Sequence, residues 1–346
     1  ADSAINTVEY DGRPRCNNCG PCNIGCSIKA KASTDITYWP KALAHGAKLV
    51  THARVRELIV GKDGLVIGAQ YYDEDGKLQE QHARLVILAC NGIGTPRLML
   101  NSRSPMFPDG LANSSGLVGK NLMFHPYAFV TGVFDEQIEG YIGPQGCNII
   151  SQEFYETDLS RGFVRGYSFQ CTRGAGPRRA ASAIPWGVGH HSVFESRFGK
   201  TTTIAVIGED LPEEINAVTI DPELSDSDGI PSPKVTYRMS DNSRKLMAHG
   251  VDKATEVLMA AGAVDTLVNP LARSAGWHLM GTARMGTDPA KSVVNGTGQA
   301  HDVKNLFIVD GSVFVTAGAV NPTSTIQAVA LYVADHIKRE ARNIAR

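Results

Sequence analysis

Apolar and polar residues alternate over short stretches of the chain, which is the pattern of half-buried β-strands. Residues 57–72 and 77–88 show this alternation, and Asp-Gly pairs at 63–64 and 75–76 provide turns between the strands. We therefore predict an antiparallel β-meander in this part of the chain. The apolar stretch 85–89 predicts a buried strand, followed by a turn at 92–96 and a helix over 97–100.

A second set of alternating segments occupies the middle of the chain, where turns rich in Gly, Pro and Asp separate them. They predict antiparallel strands over 129–134, 164–171, 202–207 and 234–239. An amphipathic pattern over 244–261 predicts a helix. Nearer the N-terminus, we predict a short helix over 39–46 and a strand over 47–50.

The C-terminal part of the chain combines a strand end, a helix start and a histidine. Residues 306–309 predict a buried strand that ends in the loop sequence DGS. Asn321 and Pro322 then open a long helical pattern over 323–345, since Asn is a favoured N-cap and Pro suits the first helical position. His278 lies in the sequence HLMGTARMG. We expect these three features to converge on one site.

Such a site suits the oxidation of an alcohol by a flavin. A helix N-terminus stabilises negative charge, and a flavin that accepts a hydride becomes anionic at its pyrimidine edge. His278 would take the hydroxyl proton as a general base, and Asn321 would hydrogen-bond the same hydroxyl. The spacing alone leaves a second interpretation open, in which His278 is a packed histidine and Asn321 only caps the helix.

The composition is that of an ordinary globular protein, with 42% hydrophobic and 20% charged residues among 346. This length is enough for two domains or one large domain. The net charge of −1 gives no electrostatic argument for binding nucleic acid or an anionic membrane. No run of 18 apolar residues predicts a transmembrane helix, and the first fifteen residues are polar, unlike a secretion signal.

Four cysteines stand close together near the N-terminus. Cys16, Cys19, Cys22 and Cys26 follow the spacing C-x2-C-x2-C-x3-C of a ferredoxin-type iron–sulfur run, although Ser27 replaces the usual proline. Zinc sites prefer two C-x2-C pairs set well apart, and disulfides between such near neighbours would be strained. The sequence leaves four interpretations open: an iron–sulfur cluster, structural reduced thiols, zinc or a disulfide.

The C-terminal segments resemble the signature of the glucose–methanol–choline (GMC) family of FAD-dependent oxidoreductases. In that family, an H-x-x-G-T-x-x-M-G segment carries the catalytic histidine. Here it matches His278, with G-T at 281–282 and M-G at 285–286. The second catalytic position of the family, His or Asn at the start of the last helix, matches Asn321. The resemblance therefore implies a catalytic pair, His278 and Asn321.

The resemblance also implies which residues contact FAD. The strand–turn–helix at 85–100, the passage at 119–126 and the segment at 310–312 match family motifs beside the cofactor. The implied cofactor-binding residues are Val55, Ala89, Asn91, Gly92, Asn121, Asp310, Gly311, Pro322 and Thr323. His125, in the same passage as Asn121, is expected to be structural rather than catalytic.

The implied fold is a mixed α/β fold that corresponds to the C-terminal two-thirds of a GMC protein. The family opens with a G-x-G-x-x-G turn between a strand and a helix, and no such motif occurs in this sequence. We expect a partial FAD-binding domain over 1–127, an antiparallel-sheet substrate domain over 128–264 and the C-terminal part of the FAD-binding domain over 265–346. Residues upstream or a separate chain would supply the missing part.

The resemblance implies an enzyme that oxidises a CH–OH group, a dehydrogenase rather than an oxidase, with a sugar or polyol as substrate. Some GMC dehydrogenases that pass electrons to a cytochrome subunit bind a three-iron (3Fe–4S) cluster at C-x5-C-x3-C. Cys16, Cys22 and Cys26 match that set, and Cys19 is extra. A small subunit and a cytochrome acceptor are then the implied partners. Two alternatives are a flavin-free structural or substrate-binding subunit and an iron–sulfur electron-transfer subunit.

Overall fold

The computed structural model describes residues 4–20, 22, 24–144, 147–272 and 276–344 of the chain. Its helices and strands are, in chain order, α1 (Tyr38–Ala44), β1 (Arg54–Val60), β2 (Val66–Tyr72), β3 (Leu78–His82), β4 (Val86–Leu88), α2 (Asn91–Asn101), β5 (Tyr127–Val133), β6 (Cys147–Ser151), β7 (Tyr167–Thr172), α3 (Pro177–Ser182), α4 (His190–Arg197), β8 (Thr201–Gly208), β9 (Ala217–Ser225), β10 (Pro231–Thr236), α5 (Asp241–Ala260), β11 (Asp265–Asn269), β12 (Leu306–Ile308) and α6 (Thr323–Ile344). Helices and strands are interspersed along the chain, which confirms the predicted mixed α/β class.

The chain forms two compact units, each built from three segments. Unit 1 comprises Ala1–Leu49, Pro126–Gly208 and Asp241–Ala275, and unit 2 comprises Val50–His125, Glu209–Ser240 and Gly276–Arg346. This grouping differs from the predicted domains of 1–127, 128–264 and 265–346 in three segments. Residues 1–49 and 265–275 belong to unit 1. The β9–β10 segment belongs to unit 2, where Val218 donates its N–H to the Gly119 carbonyl at 2.8 Å.

A five-stranded antiparallel sheet in the order β11-β5-β8-β7-β6 forms the body of unit 1. Strands β5, β7 and β8 confirm the strands predicted over 129–134, 164–171 and 202–207. Helix α5 packs across β5 and β8 and buries Leu246 and Leu258. The helix approaches β8 closely at Gly250, where a Cβ would lie 2.5 Å from Cγ1 of Val206.

The described residues of unit 2 form three smaller sheets. Strands β1, β2 and β3 form the predicted antiparallel meander, and β9 pairs with β10. Strands β4 and β12 pair in parallel, with Leu306 opposite Val86 and Ile308 opposite Leu88. The loops that follow two parallel strands leave the same edge of a sheet, and ligands of α/β folds bind at such edges. The predicted site residues at 89–92 and 310–312, which follow β4 and β12, therefore lie at the same edge of this sheet.

Two local predictions were wrong. Residues 47–50 form no strand, and Leu49 and Val50 are exposed, so this apolar run is not part of a core. Helix α2 begins at Asn91 rather than at 97. The pair His190-His191 opens α4, and the ring of the buried His190 stacks on Trp186 with 4.5 Å between the ring centroids.

The helices predicted over 39–46, 244–261 and 323–345 are confirmed as α1, α5 and α6. None of the described helices is both long and apolar enough to cross a lipid bilayer.

Candidate active site

Two antiparallel backbone segments of unit 2 each carry a histidine. Met123 donates its N–H to the Met280 carbonyl at 3.0 Å and accepts the Met280 N–H at 3.1 Å. Residues equally far from an antiparallel bridge face each other. His125, two residues after Met123, therefore lies opposite His278, two residues before Met280. The pairing brings together two side chains that are 153 positions apart in the sequence.

The two imidazole rings form a hydrogen-bonded pair. Nδ1 of His125 lies 2.7 Å from Nδ1 of His278, and the rings meet edge to face. Nε2 of His125 contacts the carbonyl oxygens of Gly318 at 2.6 Å and Ala317 at 3.2 Å. His125 is almost completely buried, and this burial lowers its pKa. Both ring nitrogens of His125 therefore have partners.

His278 has the properties of a proton acceptor. Burial, and secondarily the neighbouring His125, lower the pKa of His278 to about 4, so the imidazole is neutral at pH 7. Its backbone lies in the left-handed region with φ of 61°. Asn91 and Asn121 share this conformation, with φ of 68° and 62°. Non-glycine residues held there cost about 1–3 kcal/mol each and concentrate at functional sites.

Asn321 lies on the other side of the His278 ring. Its Nδ2 is 3.4 Å from Nε2 of His278, so the two predicted catalytic side chains are neighbours. Asn321 is exposed, whereas the adjacent Pro322 is buried. Helix α6 begins at Thr323, and its first turn is closed by a hydrogen bond from the Ile326 N–H to the Pro322 carbonyl. The N-terminus of a long helix, where backbone N–H groups have no acceptor within the helix, therefore lies beside the contact between His278 and Asn321.

A hydroxyl group links the histidine segment to helix α2. Pro96 lies in the second turn of α2 and has no N–H to give to the Gly92 carbonyl. The buried Thr282 supplies the missing donor, with its hydroxyl 2.8 Å from that oxygen. The threonine of the predicted catalytic motif thus completes the hydrogen bonding of the helix beside it.

Two of the predicted cofactor-binding residues are glycines that pack closely against the backbone of Leu279. A Cβ at Gly92 would lie 2.6 Å from the carbonyl carbon of Leu279, and a Cβ at Gly311 would lie 2.7 Å from the Leu279 oxygen. Both contacts are shorter than a real Cβ tolerates. The small residues at 92 and 311 therefore seat the residue that follows His278.

Asp310 joins the end of β12 to the start of α2. Its Oδ2 accepts the Asn91 N–H at 3.1 Å and the Thr95 hydroxyl at 2.5 Å, and its Oδ1 accepts the Ser312 N–H at 2.8 Å. Asn91 in turn accepts the N–H groups of Ile93 and Gly94 through its side-chain oxygen. These bonds explain why α2 starts at Asn91, six residues earlier than predicted.

Two buried polar side-chain atoms of unit 2 lack partners among the described residues. They are Nδ2 of Asn121 and Oγ of Ser312. Asn121 is fixed by close packing, because a Cβ at Gly281 would lie only 2.1 Å from its carbonyl oxygen. A buried polar group without a hydrogen bond costs about 1–3 kcal/mol, so these atoms are suited to receive a polar ligand.

The remaining predicted contacts lie at the surface of unit 2. Val55 is in β1 with its side chain exposed, and Ala89 follows β4 and is also exposed. Thr323, the first residue of α6, is exposed as well. No hydrogen bond described for these side chains joins them to the histidine pair.

The four clustered cysteines, all in unit 1, line one small cavity as free thiols. Sγ of Cys16 accepts the Asn18 N–H at 3.3 Å, and Sγ of Cys26 accepts the Lys31 N–H at 3.4 Å. Within the described residues, however, no three His, Cys, Asp or Glu side chains are grouped so that they could hold a metal ion. The iron–sulfur interpretation is therefore not supported by the described residues, and structural thiols stay a prediction.

The chain belongs to the GMC oxidoreductase family. Two family models, both described as GMC oxidoreductase, match residues 5–127 and 212–330. The second match includes His278, Asn321 and Asp310, and the first includes Asn91 and Asn121. The predicted resemblance is confirmed.

Curated relatives and solved structures agree with this assignment. 2-Methyl-1,2-propanediol dehydrogenase of Mycolicibacterium austroafricanum is 43% identical over 99% of this chain and 64% of its own length. The fructose dehydrogenase large subunit of Gluconobacter japonicus is 30% identical over 98% of this chain and 62% of its own length. A formate oxidase crystal structure shares the fold, with a TM-score of 0.62 and 18% identity over 84% of this chain and 61% of that one. The chain thus spans less than two-thirds of each relative.

The family implies FAD, and the residues of unit 2 fit part of such a ligand. Nδ2 of Asn121 and Oγ of Ser312 are buried and have no hydrogen-bond partner in the part of the chain that the structure describes. The α6 N-terminus supplies a positive dipole end. These groups suit the polar edge of a flavin ring. The pyrophosphate would need a G-x-G-x-x-G turn, which is not found in these 346 residues.

Sequence reasoning did not predict the contact between His125 and His278. It expected His125 to be structural, and the structure shows that its ring is hydrogen-bonded to His278. Each of the two motif segments contains a histidine, and this was the only hint in the sequence. The segments are more than 150 residues apart, so the sequence does not show which residue of one segment lies opposite which residue of the other.

Proposed function

We propose that this protein oxidises the CH–OH group of an alcohol, with Nε2 of His278 as general base. FAD, when bound, supplies the hydride acceptor. The substrate hydroxyl would lie between His278 and Asn321, where the imidazole takes its proton and the amide fixes its orientation. The observation that carries this proposal is the contact between Nε2 of His278 and Nδ2 of Asn321 at 3.4 Å. The lowered pKa of His278 supports it, because a base must be unprotonated before the reaction.

The substrate class we propose is a small diol or polyol. The support is the 43% identity to an enzyme named for 2-methyl-1,2-propanediol, which extends over 99% of this chain. The lower identity of 30% to a fructose dehydrogenase subunit keeps sugars as a second class to test. Both relatives are named dehydrogenases, which supports an electron acceptor other than oxygen. A cytochrome or small subunit as partner, and a polypeptide that carries the pyrophosphate turn, complete the proposal.

The decisive experiment measures anaerobic flavin reduction by stopped flow in the full-length protein. The substrates are 2-methyl-1,2-propanediol, glycerol, sorbitol and fructose. We expect the diol to reduce the flavin fastest. We expect His278→Ala to lower the reduction rate by about a hundredfold or more, the usual contribution of a general base.

Two further results define the limits of the proposal. Asn321→Ala should lower the rate less than His278→Ala, because an orienting hydrogen bond contributes less than the base. Near-normal reduction in His278→Ala would remove the base assignment. Protein that is folded but holds no flavin would favour the alternative of a structural or substrate-binding subunit.

An iron–sulfur centre is kept as a separate hypothesis. The placement of four thiols around one cavity favours it, and the lack of a grouped ligand set among the described residues opposes it. Iron and acid-labile sulfide should be measured per chain in wild type and in Cys22→Ser. Iron that is lost in Cys22→Ser while flavin stays bound would establish the centre and an electron-transfer role. Iron below stoichiometric amounts in wild type would leave the cysteines structural.

A further inference from the structure

We propose that His125 is a positioning residue that holds His278 in the tautomer protonated on Nδ1, which leaves Nε2 as the basic nitrogen. The consequence for catalysis rests on the proposed function, whereas the tautomer can be measured without it. His125 is buried, and the proposed catalytic pair of His278 and Asn321 gives it no role.

The contacts of Nε2 of His125 determine where its proton lies. This nitrogen is 2.6 Å from the Gly318 oxygen and 3.2 Å from the Ala317 oxygen. Carbonyl oxygens accept hydrogen bonds and cannot donate them, so Nε2 must carry the proton. Only 1% of the His125 surface is exposed, and a charged ring is disfavoured in such a place. The ring is therefore neutral, and its Nδ1 has a lone pair.

The proton of His278 follows from this assignment. Nδ1 of His278 lies 2.7 Å from the Nδ1 lone pair of His125, so it must be the donor of that hydrogen bond. With the proton on Nδ1, the neutral His278 ring has its lone pair on Nε2. The opposite tautomer would direct two lone pairs at each other across 2.7 Å.

The third side chain agrees with this order of donors and acceptors. Nε2 of His278 faces Nδ2 of Asn321 at 3.4 Å, and an amide nitrogen is a donor. The chain of hydrogen bonds then runs in one direction, from Asn321 to His278 to His125 to the Gly318 carbonyl. A substrate hydroxyl that meets Nε2 would find a lone pair there, as a general base requires.

The backbone holds this arrangement in place. The paired hydrogen bonds between Met123 and Met280 fix the register of the two histidine segments. The Phe124 N–H donates to Oδ2 of the buried Asp210 at 3.4 Å, and the Tyr237 hydroxyl donates to the same oxygen at 2.7 Å. His125 is thus positioned by its chain neighbours as well as by its own ring contacts.

The test is a long-range ¹H–¹⁵N correlation spectrum of full-length protein with ¹⁵N-labelled histidine rings and oxidised flavin. His278→Gln assigns the signals of His278. We expect a protonated Nδ1 and an unprotonated Nε2 in wild type. His125→Asn places an amide oxygen near the former Nδ1 and should keep this tautomer. His125→Phe keeps the ring size without an acceptor and should shift His278 towards the Nε2–H form. In His125→Gln the side chain can reach Gly318 but not His278. This variant should therefore also shift His278 towards the Nε2–H form.

Wild-type His278 protonated on Nε2, or a tautomer unchanged in both His125→Phe and His125→Gln, would overturn the proposal. With the tautomer as expected, the flavin reduction rate should fall by about tenfold or more in His125→Phe relative to His125→Asn, because the wrong nitrogen then faces the substrate. Normal reduction in His278→Ala would refute the role of His278 as general base in the proposed function, yet the tautomer result would stand. The two failures are therefore distinguishable.

Discussion

The Thr282 hydroxyl donates a hydrogen bond to the Gly92 carbonyl at 2.8 Å, across 190 positions of sequence. The bond has a specific cause, because Pro96 deprives that carbonyl of its helical donor. Gly92 lies at the start of α2 and Thr282 lies four residues after His278. The hydrogen bond therefore holds the segment that contains His278 against the helix that follows β4.

Replacement of Thr282 by Val should destabilise unit 2. The methyl group keeps the shape of the side chain but leaves the buried Gly92 oxygen without a donor, which costs about 1–3 kcal/mol. Urea unfolding measures the loss, and Thr282→Ser is the matched control, because it keeps the hydroxyl. Pro96→Ala restores a backbone N–H four residues after Gly92, so Thr282→Val should cost less in that background. If Thr282→Val lowers the free energy of unfolding equally with Pro96 and with Ala at position 96, the Thr282 hydroxyl does not replace the missing N–H of Pro96.

Replacement of Gly92 or Gly311 by Ala should displace His278 through Leu279. Each added Cβ would lie less than 3 Å from the Leu279 backbone, which cannot move like a side-chain tip. Overpacking of this kind costs about 1–3 kcal/mol. We also expect slower flavin reduction, because Leu279 is bonded to His278. Gly296→Ala is the control, since nothing lies within 4 Å of its Cβ. If all three variants reduce flavin equally fast, the glycines do not position the histidine.

The sequence predicted what local pattern determines. The meander, α1, α5 and α6 each follow from hydrophobic periodicity and turn residues within one segment. His278 and Asn321 were identified because each lies in a short motif, and their contact at 3.4 Å agrees with the predicted pairing. Helix α2 was placed too late, because its true start depends on Asp310, which is more than 200 residues away.

The sequence could not predict contacts that depend on register between distant segments. His125 faces His278 only because Met123 pairs with Met280, and a shift of one residue would turn the side chains apart. The role of Thr282 likewise depends on a carbonyl in another element. The glycines at 92 and 311 were predicted to admit FAD, and the neighbour visible in the structure is the Leu279 backbone.

Cys26 should be the more reactive of two thiols in unit 1. Backbone N–H groups, that of Lys31 above all, lower the pKa of Cys26, whereas burial raises the pKa of Cys171. The thiolate is the reactive form, so iodoacetamide should alkylate Cys26 faster than Cys171 at pH 7.5, by about tenfold or more. Peptide-resolved mass spectrometry of a time course separates the two. Faster alkylation of Cys171 would show that the N–H groups do not stabilise the Cys26 thiolate.

The free energy of unfolding should decrease as the pH falls from about 6.5 towards 4, and His278 should contribute to this slope. Burial lowers its folded-state pKa from 6.5 to about 4, so within this window the unfolded chain binds a proton that the folded chain does not. Stability from this residue is therefore complete above pH 6.5 and is lost on acidification, until both states are protonated below about 4.

His278→Gln removes the titrating group and should flatten the curve measured by urea unfolding at several pH values. A residual slope of the same sign is expected from His125, whose pKa burial also lowers. If the curves of wild type and His278→Gln are parallel, the fold does not hold this imidazole neutral, and the base assignment loses its electrostatic support.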